Sequence, residues 1–259
     1  MLKLLALICI LIATILTTSV AQNNRITTYE KIGWYGCFTT IKLNNESGLH
    51  AEYQWRRDNY ITDWQQGLLR VGFTYNVNPK LLFRIGYAWA ETYPYGEIPI
   101  NALGRDFTEH RVFEMVQLAH AEGIVDISHR FIVEQRFVGR YSSASVEQED
   151  EFPLLNRVRY MVRLQIPLTG DAVKDNTPYI AAYDEVMIGF GENVNANVFD
   201  QNRIGLLAGY RFNKNIRIEG GYLHQIAQFG RQLNGKNIFQ NNSGLILNAY
   251  INVDLSKQD

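Results

Sequence analysis

The chain is poor in cysteine and proline, with two and six among 259 residues. Two cysteines cannot build a disulfide-rich scaffold or a four-cysteine zinc site. One of them, Cys9, lies in an apolar leader, so Cys37 has no partner within the processed chain and reads as a packing residue in a strand. Neither sign of charge is in excess: 25 Lys and Arg face 26 Asp and Glu, for a formal net charge of −1. That balance argues against a nucleic-acid-binding protein, which carries a basic surplus. Beyond the leader no run approaches the ~18 apolar residues of a membrane helix. There is no HExxH, no paired histidine ligands and no phosphate-cradling glycine loop, so no metal or cofactor is expected. A hydrophobic content of 46% with 20% charged residues still predicts a folded domain.

What is present begins with an address. Residues 1–21 read as a signal peptide: Lys3 starts it, Leu4 to Leu16 is almost purely apolar, and Ser19-Val20-Ala21 supplies the small residues a signal peptidase requires. Cleavage is expected before Gln22, leaving one domain over 22–259. An uncleaved anchor helix is the alternative, but the apolar stretch is short for it.

The rest alternates with period two, the signature of strands with two unlike faces. In 69–77 the odd positions are Leu69, Val71, Phe73, Tyr75 and Val77, against Arg70, Gly72, Thr74 and Asn76. In 158–168 the even positions are Val158, Tyr160, Val162, Leu164, Ile166 and Leu168, against Arg159, Met161, Arg163 and Gln165. Strands are expected at 32–43, 48–56, 64–77, 80–92, 110–120, 124–138, 156–168, 178–189, 201–213, 215–228 and 243–255. Their length exceeds that of ordinary soluble strands. Aromatics near the ends of apolar faces (Tyr75, Trp89, Tyr210, Phe212) suit a girdle at a membrane interface.

The connections alternate in length. Short turns fall at Asn44–Ser47, Asn78–Lys80, Ala121–Gly123 and Asn213–Asn215, with Gly170–Thr177 slightly longer. Longer links are expected at Arg57–Thr62, Pro94–Glu109, Gly139–Leu155, Gly191–Asp200 and Gly230–Asn242. Short turns at one end and long loops at the other are the asymmetry of an outer-membrane barrel. The fold expected is an all-β, antiparallel, up-and-down transmembrane β-barrel of about twelve strands, within a range of ten to twelve. Arg25–Lys31 then either forms a short extra strand or threads the lumen.

Several segments together resemble one family. They are Asp63-Trp64-Gln65-Gln66; Glu109-His110-Arg111; His129-Arg130-Phe131 followed by Glu134-Gln135-Arg136-Phe137; Arg157-Val158-Arg159-Tyr160; Asp184-Glu185; Asn202-Arg203; and Gly209-Tyr210-Arg211-Phe212-Asn213-Lys214-Asn215. In this order the set resembles an uncharacterised family of signal-bearing proteins, filed as a domain of unknown function (number two-four-nine-zero) and common in Bacteroidota-type bacteria. The likeness covers nearly the whole chain after the leader. It implies an outer-membrane β-barrel and, with no activity established for the family, no catalytic residues. One departure is that barrel assembly signals usually finish on an aromatic residue, whereas the last strand here ends Val253-Asp254-Leu255.

With apolar faces against lipid, the lumen carries Arg70, Arg84, Arg130, Glu134, Arg136, Arg157, Arg159, Arg163, Arg203 and Arg211, joined by Arg217, Glu219 and either Asp184 or Glu185. Such side chains satisfy one another as a cross-strand network, and an arginine excess also defines a narrow pore for small polar or anionic solutes. The expected location is the outer membrane of a Gram-negative bacterium. Membrane lipids and the barrel assembly machinery are the expected partners, and a monomer is favoured. An outer-membrane lipid-modifying enzyme is the first alternative. His129 and His224 lie on the apolar faces where its site would be, but Ser128 points away from His129, and no serine partner is evident. A soluble periplasmic sandwich or small-ligand barrel is the second. Glu147, Glu149, Asp150 and Glu151 form an acidic cluster that suits a solvated loop or a divalent cation.

Overall fold

The computed structural model describes residues 25–194 and 197–256. The expected leader lies outside the described residues. Eleven strands follow one another: β1 (Arg25–Lys42), β2 (Ser47–Asp58), β3 (Asp63–Asn78), β4 (Leu81–Thr92), β5 (Phe107–Glu122), β6 (Val125–Val138), β7 (Leu154–Pro167), β8 (Thr177–Phe190), β9 (Phe199–Arg211), β10 (Ile216–Leu233) and β11 (Lys236–Asp254). Among the described residues there is no α-helix. Each strand pairs antiparallel with the next, and β1 pairs with β11 to close the ring. Closure removes the unpaired edges that an open sheet would present.

The alternation decides which way each face points. Leu69, Val71, Phe73 and Tyr75 turn outward, while Arg70 and Thr74 between them are buried. Ile85, Leu206 and Leu245 leave 56%, 56% and 54% of their surface open, while Arg157, Glu134 and Glu219 leave 1% each. Apolar side chains therefore cover the outside and charged ones fill the inside. A soluble sandwich is built the other way round, with apolar faces packed between two sheets.

Eleven strands fall within the expected ten to twelve. The twelfth is not separate, because residues 25–31 continue β1 without a break. An odd count is possible because one seam, β1 with β11, is parallel. Arg25 therefore lies at the end of the barrel that carries the long loops.

Two expected long links are short. Residues 59–62 form a tight turn in which Asn59 and Tyr60 take positive φ. The segment Gly230–Asn242 is a hairpin with a two-residue turn at Asn234-Gly235 (φ 52° and 71°). Positive φ at both central residues is the type I′ requirement, and Asn-Gly meets it. The two strands therefore pair up to Leu233–Lys236. β2 stops pairing with β1 at Ile32–Asp58, and β9 stops pairing with β10 at Ala227–Gln201. The ends of β10, β11 and β1 thus stand above the rim as a three-stranded flap.

The connection between β4 and β5 (93–106) crosses the opening as a strap. It leaves β4 and docks on the flap, on the far side of the ring. The Tyr95 hydroxyl donates to Gln240 Oε1 at 2.6 Å and accepts from Asn242 Nδ2 at 3.2 Å. Arg231 donates to the carbonyls of Pro99 (2.6 Å) and Ile100 (3.1 Å). Burial pushes the Tyr95 phenol up to about 12.

Inside, the wall is not uniformly polar. Ile32, Trp34, Tyr179, Leu207, Leu223 and Ile246 pack into one apolar cluster with Tyr95, and Phe113, Met115 and Ile132 form a second. Alternation does not mark these positions, because the outward neighbours there, such as Val112, Phe131, Leu206, Tyr222 and Leu245, are apolar too.

Candidate functional site

The inward row of each strand brings carboxylates and guanidiniums to the same height. Glu134 on β6 receives Arg157 Nη2 at 2.5 Å and Arg159 Nη1 at 2.7 Å, both from β7, and Arg70 of β3 lies 3.7 Å away. Arg157 also reaches Asp200 on β9 at 2.5 Å. Glu185 on β8 receives Arg159 at 2.8 Å and Arg130 at 2.9 Å, with Arg203 at 3.7 Å. Arg70 donates to Glu52 at 2.6 Å, and Glu52 also bonds His50 at 3.0 Å. Glu109 accepts from Arg111 (2.8 Å) and Arg136 (2.5 Å). Nearer the short-turn end, Glu219 holds Arg163 at 2.6 Å and accepts from Tyr250 (2.7 Å) and Tyr179 (2.9 Å). Buried charges are tolerable in this form because each carboxylate has several donors; removing one partner would strand the others.

Most of the residues singled out from the sequence meet here, and three stand apart. Arg217 makes no ion pair among the described residues and lies over the Tyr250 ring, 4.1 Å from its centre. Arg84 donates through Nε to Thr74 Oγ1 at 2.9 Å. Arg211 sits at the short-turn end beside Asp175, at 3.3 Å. On β8 the inward carboxylate is Glu185, while Asp184 is exposed on the outer wall and bonds Asn202. The acids Glu52, Glu109 and Asp200 and the cations Arg56 and Arg111 escaped sequence reading. Glu109 and Asp200 fall one residue outside the expected strands, so they read as loop residues. Extending the alternation by that one position would have found them.

Trp34 is buried on the inner wall. Its Nε1–H donates to Gln65 Oε1 at 2.6 Å. The guanidinium of Arg56 lies 3.9 Å from its ring centre and that of Arg203 lies 4.8 Å away. An upper chamber of about 460 Å³ opens beneath the strap, and a lower one of about 630 Å³ opens toward the short turns. Trp34 and Arg203 face both chambers, so the partition there is one side chain thick.

The outer wall carries its own polar groups. His129 Nδ1 lies 2.9 Å from the Tyr160 hydroxyl. His224 Nδ1 lies 2.9 Å from Ser243 Oγ, a cross-strand partner, and the Tyr222 hydroxyl donates to that oxygen at 3.3 Å. Sequence reading missed Ser243 because the partner comes from another strand. The acidic loop is bound to itself and to its neighbours: Glu149 accepts from the Thr108 backbone N–H, and Asp150 accepts from the Ser142 N–H at 2.8 Å and Oγ at 2.5 Å. Those Ser142 bonds hold the Asp150 carboxyl below the ordinary aspartate value. Among the described residues no group of three or more His, Cys, Asp or Glu is placed to hold a metal ion.

A family model described as "Protein of unknown function (DUF2490)" matches residues 32–234. The chain belongs to this family. The DUF2490 match begins at Ile32, where β1 enters the closed ring, and ends at Asn234 in the β10–β11 turn, so it takes in the arginine network. No curated protein and no solved structure matches the chain.

Proposed function

We propose that this chain is an outer-membrane β-barrel of a Gram-negative bacterium, folded into lipid as a monomer by the barrel assembly machinery. Its lumen is a narrow passage for small anionic solutes. The observation that carries the membrane reading is the inverted wall: apolar side chains outside, paired charges inside. Even the shortest strands, β2 and β4, have 12 residues, enough for a tilted crossing that needs about 9–11. Two aromatic groups support it. Tyr35, Trp55, Trp64 and Tyr93 form a chain of ring contacts of 5.4–6.0 Å at the long-loop end. Tyr210 and Phe212 pair at 4.8 Å toward the other end. The anion preference follows from inward arginines that outnumber the carboxylates among them, within low-dielectric walls that concentrate their field.

The test is conductance. Purified protein in a planar bilayer under a salt gradient should give small discrete steps with a reversal potential on the anion side. A silent bilayer, or cation preference, would remove the pore reading and leave a structural barrel.

A second reading, a lipid-modifying enzyme, is favoured by the His224–Ser243 pair on the outer wall. A serine with a histidine base at hydrogen-bond distance is the core of a nucleophilic site. Turnover of phospholipid vesicles that vanishes in Ser243→Ala would support it, and no turnover by the unaltered protein would end it.

A further inference from the structure

Two buried cations of the upper chamber have no carboxylate of their own. Arg56 is 7% exposed and donates only to neutral amides: Gln54 Oε1 at 2.6 and 3.0 Å and Gln66 Oε1 at 2.6 Å. Arg203 is equally buried. It donates to Gln201 Oε1 at 2.7 Å, reaches Glu185 only at 3.7 Å, and leaves Nε without a partner. Both guanidiniums lie against the same indole. Beside them in the same chamber, Arg157 is set between two carboxylates, Glu134 and Asp200, and Arg111 and Arg136 share Glu109. A buried charge that is left to neutral amides and one ring is costly, and it is a ready partner for a negative group brought from outside. The chamber also has an apolar side, lined by Leu103, Phe107, Leu155 and Phe229. The strap roofs it, pinned by Arg231. A volume of about 460 Å³ suits a small molecule.

We propose that the upper chamber binds a small organic anion, its carboxylate, phosphate or sulfonate head against Arg56 and Arg203 and its apolar body beneath the strap. The site rests on the proposed function, since it names the solute class held above the partition. Binding is read separately from conductance, so a barrel that binds without conducting and one that conducts without binding are told apart.

The experiment is a titration of the folded full-length protein in nanodiscs with benzenesulfonate, followed through the indole N–H resonances. Of the four tryptophans, Trp55, Trp64 and Trp89 are 36%, 40% and 37% exposed on the outside and Trp34 is 5% exposed within, so three signals serve as references. The Trp34 signal should shift saturably with benzenesulfonate, at least about ten-fold more weakly with inorganic sulfate, and not at all with benzyltrimethylammonium. Arg56→Gln should weaken binding by about ten-fold or more, and Arg84→Gln, on the lower chamber, should leave it unchanged. Leu103→Glu places a carboxylate in the exposed strap without touching the network, and should also weaken binding. No saturable Trp34 shift, an equal response to the cationic probe, or unchanged affinity in Leu103→Glu would overturn the assignment.

Discussion

The Arg56 guanidinium stacks on Trp34 with 3.9 Å between the charge centre and the ring centre, and the indole lines both chambers. A desolvated contact of this kind is worth about 2 kcal/mol. Trp34→Ala should therefore cost about 3–5 kcal/mol in urea unfolding from lipid vesicles. The same change should raise single-channel conductance, since it merges the chambers. Unaltered conductance in a folded Trp34→Ala barrel would place the constriction elsewhere.

Glu134 is 1% exposed and receives two guanidiniums, whereas Arg211 pairs with Asp175 at a half-exposed end of the barrel. Glu134→Gln leaves Arg157 and Arg159 short of charge and should cost about 3–5 kcal/mol. Arg211→Gln should cost at most about 1 kcal/mol. Denaturation midpoints of the two variants measured side by side check the contrast, and equal shifts would mean the network contributes nothing beyond surface pairing.

Arg231 holds the strap through two backbone carbonyls, at 2.6 and 3.1 Å. Arg231→Gln should free the strap while the ring stays closed. Limited proteolysis should then cut within 93–106 several-fold faster, as expected when local opening is eased by 1–2 kcal/mol. The barrel's heat-modifiable gel migration should not change.

The loop at 139–153 responds to acid. The Ser142 bonds lower the Asp150 pKa from about 3.8, so their contribution is complete above that value and is lost as pH falls through the lowered one. Cleavage within the loop should stay constant from neutral pH down to about 4 and rise only below it. Asp150→Asn should raise cleavage at neutral pH.

Much of this architecture was legible in the chain. Alternation located every strand, because outward-facing and lumen-facing rows differ in polarity as at Leu69 to Val77. The errors fall where that contrast fades. Residues 25–31 lack a clean apolar row and were separated from β1. The Asn234-Gly235 turn was hidden because its flanks, Arg231, Gln232, Lys236 and Asn237, are polar on both faces of a flap that stands above the rim. The lumen network was legible on the arginine side, since those arginines alternate cleanly with Val and Tyr. Its acids were harder to see: Glu109 and Asp200 sit at strand ends, where alternation begins. Trp34 lies between Gly33 and Gly36, which blur the pattern, and nothing local marks it as the partition. His224 and Ser243 are nineteen residues apart, and only the register of β10 with β11 joins them.

The inverted wall itself is tested most directly by spin labels along β3. In a Cys37→Ser background, single cysteines at positions 69 to 75 would be labelled and the protein folded into liposomes. The account predicts a period-two pattern: labels at Leu69, Val71, Phe73 and Tyr75 relaxed by oxygen dissolved in the bilayer, and those at Arg70 and Thr74 shielded from it. Labels at Val71 and Phe73 relaxed as strongly by a water-soluble nickel reagent as by oxygen would contradict it.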